Sequence, residues 1–173
     1  MSDATNGHEA QEGRQGRPGT YVRMVFPGGS PRIFTDLIVD YTGTLSLDGL
    51  LLSGMTERLT QISKIIRITV LTADTFGQAR SQLERLPVEV QIVKTGEDKA
   101  EFVRKLEAEH VIAIGNGRND VAMMKLAGLG IAVIGPEGAA GDLLRVADLV
   151  VRDIRNALDL IANPVRMVAT LRD

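Results

Sequence analysis

Apolar residues in this chain come in short blocks separated by polar, glycine-bearing joints. Residues 21–26 alternate, residues 27–30 (Pro-Gly-Gly-Ser) supply turn chemistry, and residues 33–39 form a second apolar run. This pattern predicts a hairpin leading into a first core strand. Beyond it, strand-like runs at 67–71, 88–93, 111–114, 129–134 and 149–151 alternate with helical spacing at 76–86, 100–109, 121–127 and 139–146. The remainder up to Leu171 also reads as helical, and between Leu45 and Ile68 there is room for one helix beginning near residues 53–56. Most of the strands are near-continuous apolar runs. Repeated strand–helix units of that kind predict a single α/β domain: a doubly wound, Rossmann-like parallel sheet covered on both faces, with an N-terminal β-hairpin. The domain spans residues 21–173. Residues 1–20 are rich in Gly, Gln, Glu, Asp and Arg and are expected to form a disordered tail, having too little apolar surface to offset the cost of ordering.

In open parallel sheets, ligands bind beyond the carboxyl ends of the strands. Those positions carry the polar chemistry. Asp40-Tyr-Thr-Gly-Thr44 follows the first core strand, and Thr72-Ala-Asp74 follows the second. Lys99 lies just before a helix, and Gly115-Asn-Gly-Arg-Asn-Asp120 follows the fourth strand. Gathered on one edge, they suit phosphoryl transfer. Asp40 can attack phosphorus as a nucleophile and form an aspartyl-phosphate. An ionised carboxylate facing an anionic phosphate needs positive charge nearby. Lys99 supplies one unit, and Mg2+ suits an all-oxygen site that carries phosphate. Backbone N–H groups around Gly43 and the Thr72 hydroxyl can hold the phosphoryl oxygens.

Composition narrows the alternatives. The chain has 20 Lys and Arg against 22 Asp and Glu, a formal charge of −2, which argues against a general nucleic-acid binder. With no Cys, disulfides, thiolate metal sites and a Cys nucleophile are excluded. His8 and His110 are too few for a multi-His metal centre. No apolar run reaches the roughly 20 residues of a membrane span, and the first residues lack the apolar core of a secretory signal. A soluble, cytoplasmic protein with no membrane association is expected.

The four motifs, in this order, resemble the haloacid dehalogenase superfamily of phosphohydrolases. Asp40-x-Thr-Gly-Thr is similar to the phosphorylation motif of its P-type ATPases, Thr72-Ala-Asp to their Thr-Gly-Asp element, and Gly115-x-Gly-x-Asn-Asp120 to their hinge motif. The resemblance covers residues 21–172 and points to the soluble P-type-ATPase-like branch, without membrane helices. It implies a haloacid dehalogenase-like core and Mg2+-dependent phosphohydrolase activity through a phospho-aspartate. It also implies roles for single residues. Asp40, Thr42, Thr72 and Lys99 would be catalytic; Gly43, Thr44, Ala73 and Asn119 would lie at the substrate phosphate; Asp40, Thr42, Asn116 and Asp120 would lie at the metal. The short segments after the first two motifs leave no room for a substantial cap. The substrate would be a phosphorylated small molecule or a phosphoprotein; an open site suits a large substrate such as a phosphoprotein, or a homo-oligomer whose second subunit completes the pocket.

Two positions depart from the family pattern. Thr42 stands where many of these phosphatases carry an Asp as general acid/base, and a hydroxyl is a poor proton donor near pH 7. Asn116 stands where a metal-ligating Asp is usual; its carbonyl oxygen can ligate Mg2+ but adds no charge. Asn116→Asp is therefore expected to tighten Mg2+ binding. These departures keep open a weakly active or inactive regulatory protein that binds phosphate and Mg2+. A dinucleotide-binding unit is disfavoured because Asp120 takes the place of the third glycine. A receiver-like signalling domain is disfavoured because the first strand end carries only Asp40, not an acidic pair.

Overall fold

The computed structural model describes residues 20–74 and 77–172. Most of the expected N-terminal tail, and the expected helix start at Phe76, lie outside them. Strands β1 (Val22–Met24) and β2 (Arg32–Phe34) form the antiparallel hairpin, and β3 (Asp36–Asp40) follows after a single residue. Then come β4 (Ser46–Leu47), β5 (Leu50–Leu51), α1 (Met55–Ile62), β6 (Arg67–Thr72), α2 (Ala79–Leu83), β7 (Glu89–Ile92) and α3 (Gly96–Arg104). The chain continues through β8 (Val111–Gly115), α4 (Val121–Leu126), β9 (Leu129–Val133), α5 (Gly141–Leu144), β10 (Leu149–Val151), α6 (Ile154–Ala162) and α7 (Pro164–Leu171).

Six strands form one parallel sheet in the order β10-β9-β8-β3-β6-β7. The chain builds outward from β3 through β6 to β7, then crosses back to β8 and builds outward the other way. The sheet therefore changes direction between β3 and β8, where a crevice opens at the strands' carboxyl ends.

Side-chain parity along β3 decides what faces that crevice. Leu37 and Val39 point into the larger core, packed with Met55, Leu59 and Ile62 of α1, Ile154, Leu158 and Ile161 of α6, and Met167 of α7. Ile38 points the opposite way, with Leu71, towards Val103 of α3 and Met123 of α4. Since strand side chains alternate, Asp40 leaves the sheet on the α3 and α4 side. At the other end of β3, Asp36 accepts hydrogen bonds from Arg67 Nε at 2.5 Å and Nη2 at 2.7 Å, joining the starts of β3 and β6.

The elements differ from the sequence reading where local chemistry overrides periodicity. The β4–β5 hairpin is too short to show alternation, but Asp48 and Gly49 carry its turn, with φ of 51° and 79°. Helix α3 starts at Gly96, ahead of the expected start at Ala100. Thr95 Oγ1 accepts from Asp98 N at 3.1 Å while Asp98 Oδ2 accepts from Thr95 N at 2.9 Å, a capping box. The terminal helical stretch divides into α6 and α7 at Asn163, because Pro164 has no N–H to continue the ladder. Helices α2 and α5 are shorter than their apolar spacing suggests.

Candidate functional site

Asp40 ends β3 and is buried. Lys99 lies in the first turn of α3, a poor place for a cation because the helix dipole presents positive charge there. It is 1% exposed, and its Nζ donates to Asp40 Oδ1 at 2.5 Å and to Asp120 Oδ1 at 2.6 Å. Asp120 is wholly buried, and its other oxygen accepts from Asn116 N at 3.1 Å and Gly117 N at 2.9 Å. The 115–120 turn thus folds onto its own carboxylate, which Lys99 links to Asp40. Gly115 is required here, since a Cβ would run into the Asp120 carboxylate.

Two carboxylates around one ammonium leave the cluster with an excess of negative charge. Burial, and then repulsion from Asp120, raise the Asp40 pKa to about 7, against the pull of Lys99. Burial alone would lower Lys99, but the two carboxylates hold its pKa above the ordinary lysine value. Among the described residues, no three His, Cys, Asp or Glu side chains gather closely enough to cage a metal. Mg2+ needs no such cage: one or two carboxylates suffice when substrate phosphate and water supply the remaining oxygens. The unbalanced charge and the all-oxygen donors fit that cation.

The loop after β3 is tightly made. Tyr41 O accepts from Leu45 N and Ser46 N, each at 2.9 Å, and from Ser46 Oγ at 3.0 Å. The N–H of Gly43 donates to Ser46 O at 3.1 Å. This amide and that of Thr44, which donates to Tyr41 O at 3.3 Å, close the turn. What Gly43 contributes is space. Its φ is +75°, and a Cβ there would lie 2.5 Å from Asn116 Nδ2 and 2.8 Å from Glu137 Oε2. Thr44 is buried and donates from Oγ1 to Asn116 Oδ1 at 3.2 Å.

Thr72 is buried at the end of β6, and its Oγ1 accepts from Asp74 N at 2.9 Å, leaving its own O–H to point elsewhere. Asp74 Oδ1 in turn accepts at 2.9 Å from the N–H of Ala79, the first residue of α2. Ala73 and Asn119 are exposed on neighbouring loops, and Thr42 is half-buried beside Gly43. The first turn of α3 approaches Asn119 so closely that a Cβ on Gly96 would lie 2.6 Å from Asn119 O.

Among the other polar residues, Tyr41 is in the core with its O–H on Gly49 O at 2.9 Å, and Arg118 is exposed and pairs with Asp142 at 3.2 Å. His110 Nδ1 meets Ile33 O at 2.6 Å, a structural role. A cavity of about 350 Å³ opens at the opposite end of the strands, bordered by Phe26, Arg32, Leu129, Asp148 and Leu171, far from this cluster. Glu137 is the residue the sequence reading passed over. It lies in a stretch that reads as a loop and helix start, yet it follows β9 and so reaches the same edge as the motifs.

The fold has counterparts among known proteins. Residues 54–155 match the family model of the haloacid dehalogenase-like hydrolases. An uncharacterised protein of Methanocaldococcus jannaschii is 47% identical over 79 residues, 43% of this chain and 85% of its own length. The cobalt-bound deoxy-D-mannose-octulosonate 8-phosphate phosphatase of Haemophilus influenzae superposes with a TM-score of 0.64 at 17% identity, over 75% of this chain and 88% of that one. The corresponding phosphatase of Moraxella catarrhalis, in complex with magnesium, phosphate and its sugar acid, gives 0.58 at 20% identity, over 80% and 94%. The catalytic domain of a CPx-type ATPase gives 0.55 at 25% identity, over 65% and 46%.

Proposed function

The chain belongs to the haloacid dehalogenase-like hydrolases, and from that premise we propose that it is a Mg2+-dependent phosphohydrolase that works through an aspartyl-phosphate on Asp40. The observation that carries this reading is the buried Asp40–Lys99–Asp120 cluster at the point where the sheet changes direction. Asp40 would attack the phosphorus of a phosphomonoester, forming an O–P bond as the bond to the leaving oxygen breaks. Water would then attack the same phosphorus and release the Asp40 carboxylate with inorganic phosphate. Lys99 holds Asp40 in place and offsets the charge of the incoming anion. The Thr72 hydroxyl would donate to a phosphoryl oxygen, with Thr44, Ala73 and Asn119 bordering the phosphate. Asp40, Thr42, Asn116 and Asp120 would hold Mg2+, which when bound supplies the positive charge needed to bring phosphate against a carboxylate.

Thr42 and the likeness to a CPx-type ATPase catalytic domain support placing this chain with the soluble P-type-ATPase-like proteins. The two sugar-acid phosphatases support a phosphorylated small molecule as substrate class. A second reading, a phosphate- and Mg2+-binding protein with little turnover, draws on Thr42 and Asn116. One assay separates them: p-nitrophenyl phosphate should be hydrolysed only with Mg2+, and not by Asp40→Asn. Hydrolysis that survives in Asp40→Asn would remove the nucleophile assignment; no hydrolysis by the wild type would favour the binding protein.

A further inference from the structure

Glu137 reaches the loop after β3 and is otherwise unemployed. It is exposed, and it forms no hydrogen bond or ion pair with another described residue. Its Oε2 comes within 2.8 Å of the point where a side chain on Gly43 would begin, one residue beyond Thr42 and three beyond Asp40. Its loop is fastened there by Asn116. Asn116 Nδ2 donates to Gly138 O at 3.1 Å, and Asn116 O accepts from Ala140 N at 2.8 Å. The Oδ1 of the same amide accepts from Thr44, so one side chain ties the loop after β9 to the loop after β3. Asp at 116 could not donate to Gly138 O, which gives the Asn a reason beyond metal ligation.

We propose that Glu137 is the acid/base group of this site, supplying from the loop after β9 the carboxylate that Thr42 lacks, with Asn116 as its positioning residue. The inference rests on the aspartyl-phosphate reading above. When water attacks the phosphorus of phospho-Asp40, its proton passes to the Glu137 carboxylate as the new O–P bond forms. The Asp40–phosphorus bond breaks with its electron pair returning to Asp40. In the preceding half-reaction, the protonated Glu137 gives its proton to the leaving oxygen.

The test uses p-nitrophenyl phosphate, whose leaving group needs no proton, so that only the second half-reaction depends on Glu137. With Mg2+ present, Glu137→Gln should lower turnover by about 100-fold, at the lower end of what general acid/base groups contribute. The acid-stable phosphorylated fraction of the protein, read by intact mass after a quench, should rise. Adding Thr42→Asp to Glu137→Gln should restore turnover and empty that fraction. Turnover of Glu137→Gln within about threefold of wild type would overturn the inference. So would a loss with neither phosphorylated protein nor rescue. Failure of the underlying reading looks different: wild type without phosphatase activity, or an active Asp40→Asn.

Discussion

Asp40 and Lys99 meet in a buried ion pair of 2.5 Å although 59 residues separate them in the chain. The pair exists because β3 ends and α3 begins at the same edge of the sheet, and because the Thr95 capping box starts α3 early enough to put Lys99 in its first turn. Neither charge has solvent to fall back on, but the dependence is unequal: Lys99 keeps Asp120 when Asp40 is neutral, whereas loss of Lys99 leaves Asp40 facing a second carboxylate.

Lys99→Met should show this directly. It leaves Asp40 and Asp120 facing each other without their shared cation, and breaking a buried pair from one side costs about 3–5 kcal/mol. Urea denaturation at pH 8 should register a loss of that order. The loss should shrink towards pH 5, where a protonated Asp40 no longer repels Asp120.

Asp40→Asn should act in the opposite direction on stability while abolishing hydrolysis. The unfolded chain ionises Asp40 near 3.8, whereas the fold retains the proton up to about 7. Across that window folding must take up a proton, so the metal-free protein loses stability as pH rises from 4 to 7 and the penalty is complete above it. A neutral Asn removes the penalty. Thermal melts in a chelator should therefore place Asp40→Asn above the wild type at pH 8, by on the order of a few kcal/mol, and close to it at pH 4. Mg2+ should raise the melting temperature of the wild type more at pH 8 than at pH 5.5, since it competes with that proton.

Asn116→Asp combines two effects. The added charge should tighten Mg2+ binding, measurable by calorimetry. The same change removes the donor to Gly138 O and sets a carboxylate beside Glu137, so turnover at saturating Mg2+ should fall. Tighter binding with undiminished turnover would show that the amide clamp has no part in the reaction.

Gly43→Ala should be disproportionately harmful for a single methyl. The position has φ of +75°, and the methyl would lie 2.5 Å from the Asn116 amide. Forcing Ala into that conformation costs about 1–2 kcal/mol before any clash is counted. Steady-state assays should find the variant folded but slow, with the loops after β3 and β9 pushed apart.

Much of this was visible in the sequence. Buried parallel strands are apolar on both faces, so 33–39, 67–71, 111–114 and 129–134 stand out as near-continuous runs, and the strand-end rule then picks out Asp40, Thr72 and Asp120. Lys99 was expected just outside its helix; the cap formed by Thr95 and Asp98 brings it inside. Glu137 was missed although it also follows a strand, because Pro136 and Gly138 around it read as turn residues. What the sequence does not tell about the amides around Gly43 has a related cause. A turn motif states which residues occupy it, but not which of its N–H groups are consumed by the turn itself, and here Ser46 O takes the one at Gly43.

The order of the strands has a bearing on how this protein can change. Every residue of the ion cluster hangs from β3, from its neighbour β8, or from the helices leading into and out of β8, while β7 and β10 form the two margins. Insertions, new contacts with other molecules, or sequence drift along the outer edges of those margins would be separated from Asp40 and Asp120 by at least one intervening strand, the turn from β7 into α3 excepted because it places Lys99. The protein can thus acquire different neighbours at its borders while its chemistry stays as it is.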